Sequence, residues 1–172
     1  MNTIMENLLT RRSCRSFTEK PIPREQLEEI LQAAIHAPSG MGLQTWQFTA
    51  ITSPAKIQEL ADLIGAELGR EGYDMYSPQA LIITSNERGS RFSKEDNACA
   101  LENIFLAAHS YGIGSVWINQ MQGISDTPAI RAKLDEFSVP SGHIVFGMAA
   151  LGYPASALPE KVAKKGIIKI IE

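Results

Sequence analysis

The fold is decided by two stretches of sequence, Arg11-Arg12-Ser13-Cys14-Arg15-Ser16-Phe17 and Ala37-Pro38-Ser39-Gly40-Met41-Gly42-Leu43-Gln44-Thr45-Trp46-Gln47-Phe48. The first gathers three guanidinium groups and a hydroxyl group within five residues. Arginine offers a planar fork of donors that suits a phosphate, and serine adds a neutral donor. This stretch therefore predicts an anion site, although a solvated basic helix end has the same composition.

The second stretch is a loop of small and polar residues that leads into an aromatic strand. Small residues let a flat ligand approach the backbone closely. Ser39 and Gln44 could equally satisfy hydrogen bonds within the turn. Together, the two stretches indicate a ligand with a phosphate and a ring.

Composition narrows the class of protein. The chain has 172 residues, of which 44% are hydrophobic and 20% charged, as expected for one globular domain. Its net charge of −3 argues against general nucleic-acid binding. The two cysteines have no metal-site spacing, and no stretch resembles a signal peptide or a membrane span, so we expect a cytoplasmic protein.

Hydrophobic periodicity predicts alternating helices and strands. Helices are expected around 4–9, after Pro23, after Pro54 and across 98–108, and Asp126 is predicted to cap a further helix. Strands are expected at 46–51, 80–84, 115–118, 143–151 and 166–171. The last of these has isoleucines on both faces, and such a terminal strand would aggregate unless it paired with something.

Four motifs in order carry a resemblance. Two are the stretches quoted above; the others are Tyr111-Gly112-Ile113-Gly114-Ser115-Val116-Trp117-Ile118 and Ala150-Leu151-Gly152-Tyr153-Pro154. From about Leu8 to Pro154 the chain resembles the nitroreductase family of FMN-dependent oxidoreductases.

The resemblance implies an α+β fold with a mixed, mostly antiparallel central sheet flanked by helices. It implies a single FMN-binding domain over residues 1–172, with 155–172 as a tail that embraces a dimer partner. The C-terminal strand would be exchanged onto the partner's sheet. The expected assembly is a homodimer with its FMN sites at the interface, and we expect no nucleic-acid or membrane partner.

The resemblance also assigns site residues. It places Arg11 and Ser13 on the FMN phosphate and ribityl tail, with Arg12 contributing to the same site through its main chain or side chain. Arg15 would reach the N1–C2=O edge of the flavin, where a cation stabilises the reduced ring. The further cofactor-binding residues implied are Pro38, Ser39 and Gln44 in a loop that covers the partner's flavin, Trp117, Ile118 and Asn119 along the ring, and Lys164 and Lys165 on the phosphate.

Some positions depart from the family pattern. Gly42 and Thr45 stand where many relatives have Asn and Pro, and residues 71–77 offer no clear partner for the flavin pyrimidine edge. No metal site is expected, because His36, His109 and His143 lack ligand spacing. We also expect no catalytic side chain, since the flavin carries the chemistry.

The function implied is hydride transfer from NADH or NADPH through flavin N5 to an electron-poor small molecule such as a nitroaromatic or quinone, in a ping-pong mechanism. Two alternatives remain open at this point. One is an enzyme of the same fold with other redox chemistry, such as dehalogenation or dehydrogenation. The other is a flavin-binding or regulatory protein with little turnover.

Overall fold

The described part of the chain forms five α-helices around a four-stranded sheet. The computed structural model describes residues 2–158 and 163–172. The helices are α1 (Thr3–Thr10), α2 (Arg24–Ile35), α3 (Pro54–Leu68), α4 (Ser93–Ser110) and α5 (Pro128–Glu136). The strands are β1 (Trp46–Ile51), β2 (Ala80–Glu87), β3 (Gly114–Ile118) and β4 (His143–Gly152), and a 3-10 turn spans Gly40–Gly42.

The sheet has the strand order β1-β2-β4-β3, and every neighbouring pair is antiparallel. A parallel contribution comes from the N-terminal segment, where Ser13 forms an isolated bridge with Ser115 on β3. The predicted α+β fold with a mostly antiparallel sheet is therefore confirmed.

A hydrophobic core lies on each face of the sheet. On one face α3 and α5 cover β2, β3 and β4 through residues such as Leu60, Ile83, Leu134 and Met148. On the other face α2 and α4 pack against β2 and β4 through Ile30, Ile82, Leu101 and Leu151. Adjacent residues of β2 point to opposite cores, which explains why that strand reads as a continuous apolar run.

Local signals fix several helix ends. Ser53 caps α3 by accepting from the Lys56 amide at 3.5 Å, and Gly69 ends that helix in the left-handed conformation. The prediction that Asp126 caps α5 is wrong, because Thr127 occupies the N-cap position. The Asp126 carboxylate instead accepts two hydrogen bonds from Arg88, at 2.7 and 2.8 Å.

The C-terminal segment differs from the sequence-based expectation. Residues 166–171 form no strand within this single chain, and their isoleucine side chains are 85–94% exposed. A single chain does not test the exchange of this segment onto a second copy, which stays a prediction. Residues 159–162 of the predicted tail lie outside the described residues. Among the helices described, none has the length and apolar character needed to cross a membrane.

Candidate functional site

The arginine-rich segment is joined to β3 by backbone contacts. The Cys14 amide donates to the Ser115 carbonyl at 2.9 Å, next to the Ser13–Ser115 bridge. Cys14 is buried, and a Cβ at Gly114 would lie only 2.6 Å from the Cys14 Cβ. Gly114 is therefore required for the close approach that holds Ser13 and Arg15 beside the strand.

The same segment continues onto the end of β4. The Thr18 amide donates to the Tyr153 carbonyl at 2.8 Å, and the Ala155 amide donates to the Ser16 carbonyl at 3.0 Å. The Phe17 ring fills the space that a side chain at Gly152 would need. The arginine-rich, glycine-turn and Leu-Gly-Tyr-Pro motifs, which are far apart in the sequence, thus form one contiguous region.

The three arginines of this region have different surroundings. The Arg11 guanidinium lies 5.9 Å from the centroid of the Phe105 ring, and its Nε is 3.8 Å from Glu102 on α4. Arg12 turns back onto the main chain, where Nη1 donates to the Leu9 and Arg11 carbonyls. Arg15 is exposed and forms no hydrogen bond or ion pair with any residue that the structure describes.

The surroundings of Arg11 and Arg12 are electropositive. Burial, together with these two arginines, lowers the pKa of His109, which lies within hydrogen-bond distance of Thr10 at 2.8 Å. His109 is therefore neutral at pH 7 and adds no charge. Because the Arg12 guanidinium donates to nearby main-chain carbonyls, Arg11 and Arg15 are the guanidinium groups of this segment best placed to bind an anion.

A partly exposed aromatic surface adjoins the arginines on β3. The Trp117 side chain is 40% exposed, and its ring lies 6.2 Å from that of Phe105. A Cβ at Gly147 would lie 2.8 Å from Trp117 Nε1, so this glycine allows the indole to lie against the sheet. Ile118 points into the opposite core and is 1% exposed, so its side chain serves packing.

The backbone N–H of Asn119 already has a hydrogen-bond acceptor in the single chain. It donates to Gln120 Oε1 at 3.0 Å, while Asn119 Oδ1 accepts from Trp117 Nε1 at 3.3 Å. A ligand that accepted a hydrogen bond from the Asn119 N–H would have to displace the Gln120 side chain. The sequence did not indicate this contact.

The Pro-Ser loop is anchored to the beginning of α4. Ser39 Oγ donates to Asp96 Oδ2 and the Gly40 amide donates to Asp96 Oδ1, each at 2.9 Å. Ser39 Oγ also accepts from the Gln44 amide at 2.9 Å. Asp96 is 3% exposed and was missed by sequence analysis, because nothing in the sequence connects it with a loop more than fifty residues earlier.

The loop backbone explains the unusual residue at position 42. Gly42 has φ +65°, and no atom lies within 4 Å of the place that a Cβ would take. Glycine is therefore favoured here by the left-handed backbone conformation, since there is space for a side chain. Asparagine also tolerates this left-handed conformation. Met41 and Gln44 adopt positive φ angles of 55° and 50°, which gives the loop a tightly curled path.

The structure does not bring every predicted residue together within one chain. Arg11 contacts α4 at Glu102 and Phe105, whereas Ser39 contacts it at Asp96, about 13 Å of helical rise away from Phe105. Lys164 and Lys165 are exposed, and neither forms a hydrogen bond or ion pair within 2–158 or 163–172.

The segment that follows α3 is strained. Met75, Tyr76 and Ser77 have consecutive positive φ angles of 50°, 68° and 47°. Asp74 stabilises this path by accepting from the Tyr76 amide and the Ser77 hydroxyl at 2.9 and 3.0 Å. Burial, aided by Tyr76, raises the pKa of Tyr73 to about 12. Asp74 therefore has a role within the turn, and Tyr73 stays protonated.

Comparison with known proteins decides the family. The profile of the nitroreductase family matches residues 8–153. The chain belongs to the nitroreductase family. It is 32% identical over 155 residues to a protein of Methanothermobacter thermautotrophicus with the provisional name NADH dehydrogenase/NAD(P)H nitroreductase, covering 88% of this chain and 78% of that protein.

Two further relatives are informative. A nitroreductase of Bacteroides fragilis, whose crystal structure contains bound FMN, is 40% identical with a TM-score of 0.92, and the match covers all of both chains. An FMN reductase (NADPH) of Bacillus subtilis is 27% identical, and the match covers 94% of this chain and 70% of that protein.

The residues present fit a flavin mononucleotide. Arg11, Ser13 and Arg15 offer cationic and neutral donors beside one another, as a phosphate or a polarised ring edge requires. The partly exposed Trp117 indole on β3, which packs near the Phe105 ring that Arg11 also contacts, offers an aromatic surface next to them. Within the described part of the chain, no cluster of three or more His, Cys, Asp or Glu could hold a metal ion.

Proposed function

We propose that this protein is an FMN-dependent oxidoreductase that receives hydride from NADH or NADPH and passes it to an electron-poor small molecule, such as a nitroaromatic or a quinone, in a ping-pong mechanism. Membership of the nitroreductase family and the names of the relatives support FMN with an NAD(P)H donor. The observation that carries the proposal is the anion site at Arg11–Arg15, held against β3 beside an exposed indole.

Each part of this site has a distinct task. Arg11 and Ser13 hold the phosphate and ribityl tail, while Arg15, which has no partner among the described residues, binds the pyrimidine edge of the ring. A cation at that edge favours the reduced cofactor, since it balances the negative charge that reduction creates. Bound FMN supplies the hydride chemistry. The protein orients the flavin ring, sets its reduction potential and controls the access of substrates to it.

The backbone after β3 completes the site. The Asn119 amide donates to the flavin once the Gln120 side chain moves aside. A backbone donor serves both redox states, because the strand fixes its position. We assign no acid or base to this site, since Asn119 and Gln120 do not titrate.

We infer that the functional form is a homodimer in which the tail over 155–172 embraces the partner. The β1 strand is an edge of the sheet with one neighbour, whereas the β3 edge is partly covered by residues 13–14. The exposed Ile167, Ile168, Ile170 and Ile171 would each gain roughly 1.5–3 kcal/mol on burial. The open edge of β1 on a second copy therefore suits this strand-forming segment.

The dimer also resolves the separation of the two predicted half-sites. Within one chain the Pro-Ser loop and the arginine segment contact different turns of α4. In the dimer, Pro38, Ser39 and Gln44 of one subunit lie over the FMN held by Arg11, Ser13 and Arg15 of the other. Lys164 and Lys165 precede the exchanged segment and are carried toward the phosphate.

One observation favours a second candidate function. A Gln120 side chain that kept its hydrogen bond from the Asn119 amide would withhold this donor from the flavin and so disfavour its reduction. The protein would then be a flavin-binding or regulatory protein with little turnover.

Steady-state kinetics separates the two functions. We expect FMN-loaded protein to oxidise NADH or NADPH with a quinone as acceptor, and double-reciprocal plots at several quinone concentrations to give parallel lines. FMN binding without turnover with either donor would support the second function. Intersecting lines would reject the ping-pong mechanism.

A further inference from the structure

A buried hydrogen-bond clasp determines the shape of the Pro-Ser loop. Both carboxylate oxygens of Asp96 accept hydrogen bonds from the loop, one from Ser39 Oγ and one from the Gly40 amide. Asp96 is 3% exposed and sits in the first turn of the eighteen-residue helix α4. Charge-assisted hydrogen bonds to a buried carboxylate are among the stronger contacts in proteins.

The clasp uses the hydrogen-bonding capacity of Ser39. A serine hydroxyl has one proton to donate, and Ser39 donates it to Asp96. The same oxygen accepts from the Gln44 amide. The Ser39 side chain therefore links the two ends of the 3-10 turn Gly40–Gly42 to α4 and has no proton left to give to a ligand.

The backbone of this loop needs such a restraint. Met41 and Gln44 are held at φ 55° and 50°, which non-glycine residues adopt only at a cost. On the other side Phe92 packs directly against Gly40, where a Cβ would lie 2.3 Å from the ring. Asp96 and Phe92, which flank the start of α4, thus hold the loop between a polar and an aromatic contact.

We propose that Asp96 is a positioning residue for the cofactor: it acts through Ser39 to present the backbone and the Gln44 side chain of this loop to the FMN of the second subunit. The effect on FMN rests on the proposed function, whereas the order of the loop does not. In this account Ser39 contacts the cofactor through its main chain, and its hydroxyl group faces inward.

Hydrogen exchange on the FMN-free protein tests the clasp itself. Asp96→Ala is compared with Glu95→Ala, which removes an exposed carboxylate from the same helical turn. We expect the Gly40 and Gln44 amides to lose protection in D96A and to keep it in E95A. Protection unchanged in D96A would overturn the proposal whether or not the protein binds FMN.

FMN affinity, measured by quenching of flavin fluorescence, tests the positioning role. We expect the dissociation constant to rise about ten-fold in D96A, to rise in S39A, and to stay unchanged in E95A. The double variant D96A/S39A should bind FMN no more weakly than D96A, since both changes break one clasp. Additive losses would show that the Ser39 hydroxyl binds FMN independently and would overturn the proposal.

Two controls keep the outcomes distinct. If wild-type protein does not bind FMN, the proposed function fails while the exchange experiment still tests the clasp. If D96A does not fold, the S39A variant tests the clasp by itself. Its Gln44 amide must lose protection, because the Ser39 hydroxyl oxygen that accepts from this amide has been removed. Retained protection of that amide in S39A would contradict the proposal.

Discussion

Arg15 is an exposed arginine held at a fixed place beside β3, with no ion pair among the described residues. Its backbone neighbours Cys14 and Ser16 are hydrogen-bonded to Ser115 and Ala155, so the guanidinium is carried by a rigid segment. An arginine fixed in this way is available to bind an anion or a polarised carbonyl.

We predict that Arg15→Ala weakens FMN binding and lowers the flavin reduction potential. One charge-assisted contact contributes roughly 1.5–3 kcal/mol, so the dissociation constant should rise about ten-fold or more. Arg24→Ala is the matched control, because Arg24 is exposed and pairs with Glu28 on the surface of α2. If both the affinity and the potential of Arg15→Ala equal those of the wild type, Arg15 does not face the flavin.

A second residue-scale prediction concerns His143, at the start of β4. Burial lowers its pKa, with Arg131 acting in the same direction and Glu87 opposing, and its Nδ1 lies 3.1 Å from Ser85 Oγ. The folded protein therefore binds fewer protons than the unfolded chain below about pH 6.5. The free energy of unfolding should fall as the pH drops through that range.

Urea unfolding at pH 7.5 and pH 5.5 tests this sign. The wild type should be less stable at the lower pH, and His143→Asn, which keeps an acceptor for Ser85, should show a smaller difference. His109, whose pKa burial also lowers, accounts for part of the remaining dependence. An equal pH dependence in wild type and variant would show that His143 does not contribute.

At the scale of elements, α4 connects the two halves of the proposed site. Its first turn holds the Pro-Ser loop through Asp96, and its later turns contact Arg11 through Glu102 and Phe105. Phe92, just before α4, packs on Gly40 of the loop. The position of this helix therefore sets where each half-site lies in a subunit.

We predict that Gly40→Ala displaces the loop and weakens FMN binding. The added Cβ would lie 2.3–2.8 Å from atoms of Phe92, and overpacking of this kind costs roughly 1–3 kcal/mol. The control is Gly89→Ala, where nothing lies within 4 Å of the new Cβ. Thermal unfolding and FMN titration of both variants check the prediction, and a Gly40→Ala variant with wild-type FMN affinity would contradict it.

The sequence predicted the elements better than the contacts between them. The strands at 46–51 and 115–118 were recognised because their apolar patterns are local. The β2 strand was predicted to end at Thr84, but it continues to Glu87. The buried Asn86 Oδ1 accepts from Thr45, and Ser85 Oγ lies 3.1 Å from His143 Nδ1, contacts that form only in the folded sheet. Polar residues are buried there by tertiary pairing, which periodicity does not detect.

The candidate site shows the same distinction. The motif order pointed to Arg11, Ser13 and Arg15; the structure joins Ser13 to β3 and places Arg11 against α4, with Arg15 exposed between them and the β4 end. The inward turn of Arg12 and the clasp at Asp96 were not predictable, because they depend on side-chain orientation and on a contact between distant residues. The C-terminal segment was predicted as a strand; it forms none in the single chain, and its pairing with a second copy stays a prediction.

For the whole molecule, the proposed flavin site needs residues from two copies of the chain. The exposed apolar side chains are concentrated in α1, in the Pro-Ser loop and in the C-terminal tail, with Ile4, Met41 and Ile168 among the most exposed. Large exposed apolar surface of this kind marks an interaction site. We propose that a second copy of the chain covers these segments and completes the flavin site at the same time.

We predict that deletion of residues 166–172 yields monomer or aggregate with little bound flavin. The deletion removes the isoleucines expected to pair with the partner and leaves Lys164 and Lys165 in place. The matched control is Lys164→Ala/Lys165→Ala, which should remain dimeric and lose only part of its FMN affinity. Size-exclusion chromatography with detection at flavin wavelengths checks both variants. A truncated protein that stays a yellow, active dimer would show that the dimer interface lies elsewhere.

We propose that Arg11 and Ser13 bind the single phosphate of FMN, and that Arg15 binds the edge of its ring. Identification of the flavin that heat releases from the purified or reconstituted protein tests whether this site binds a mononucleotide. We expect chromatography to show FMN, with one molecule bound per subunit. Recovery of FAD, or of no flavin after reconstitution with FMN, would contradict it.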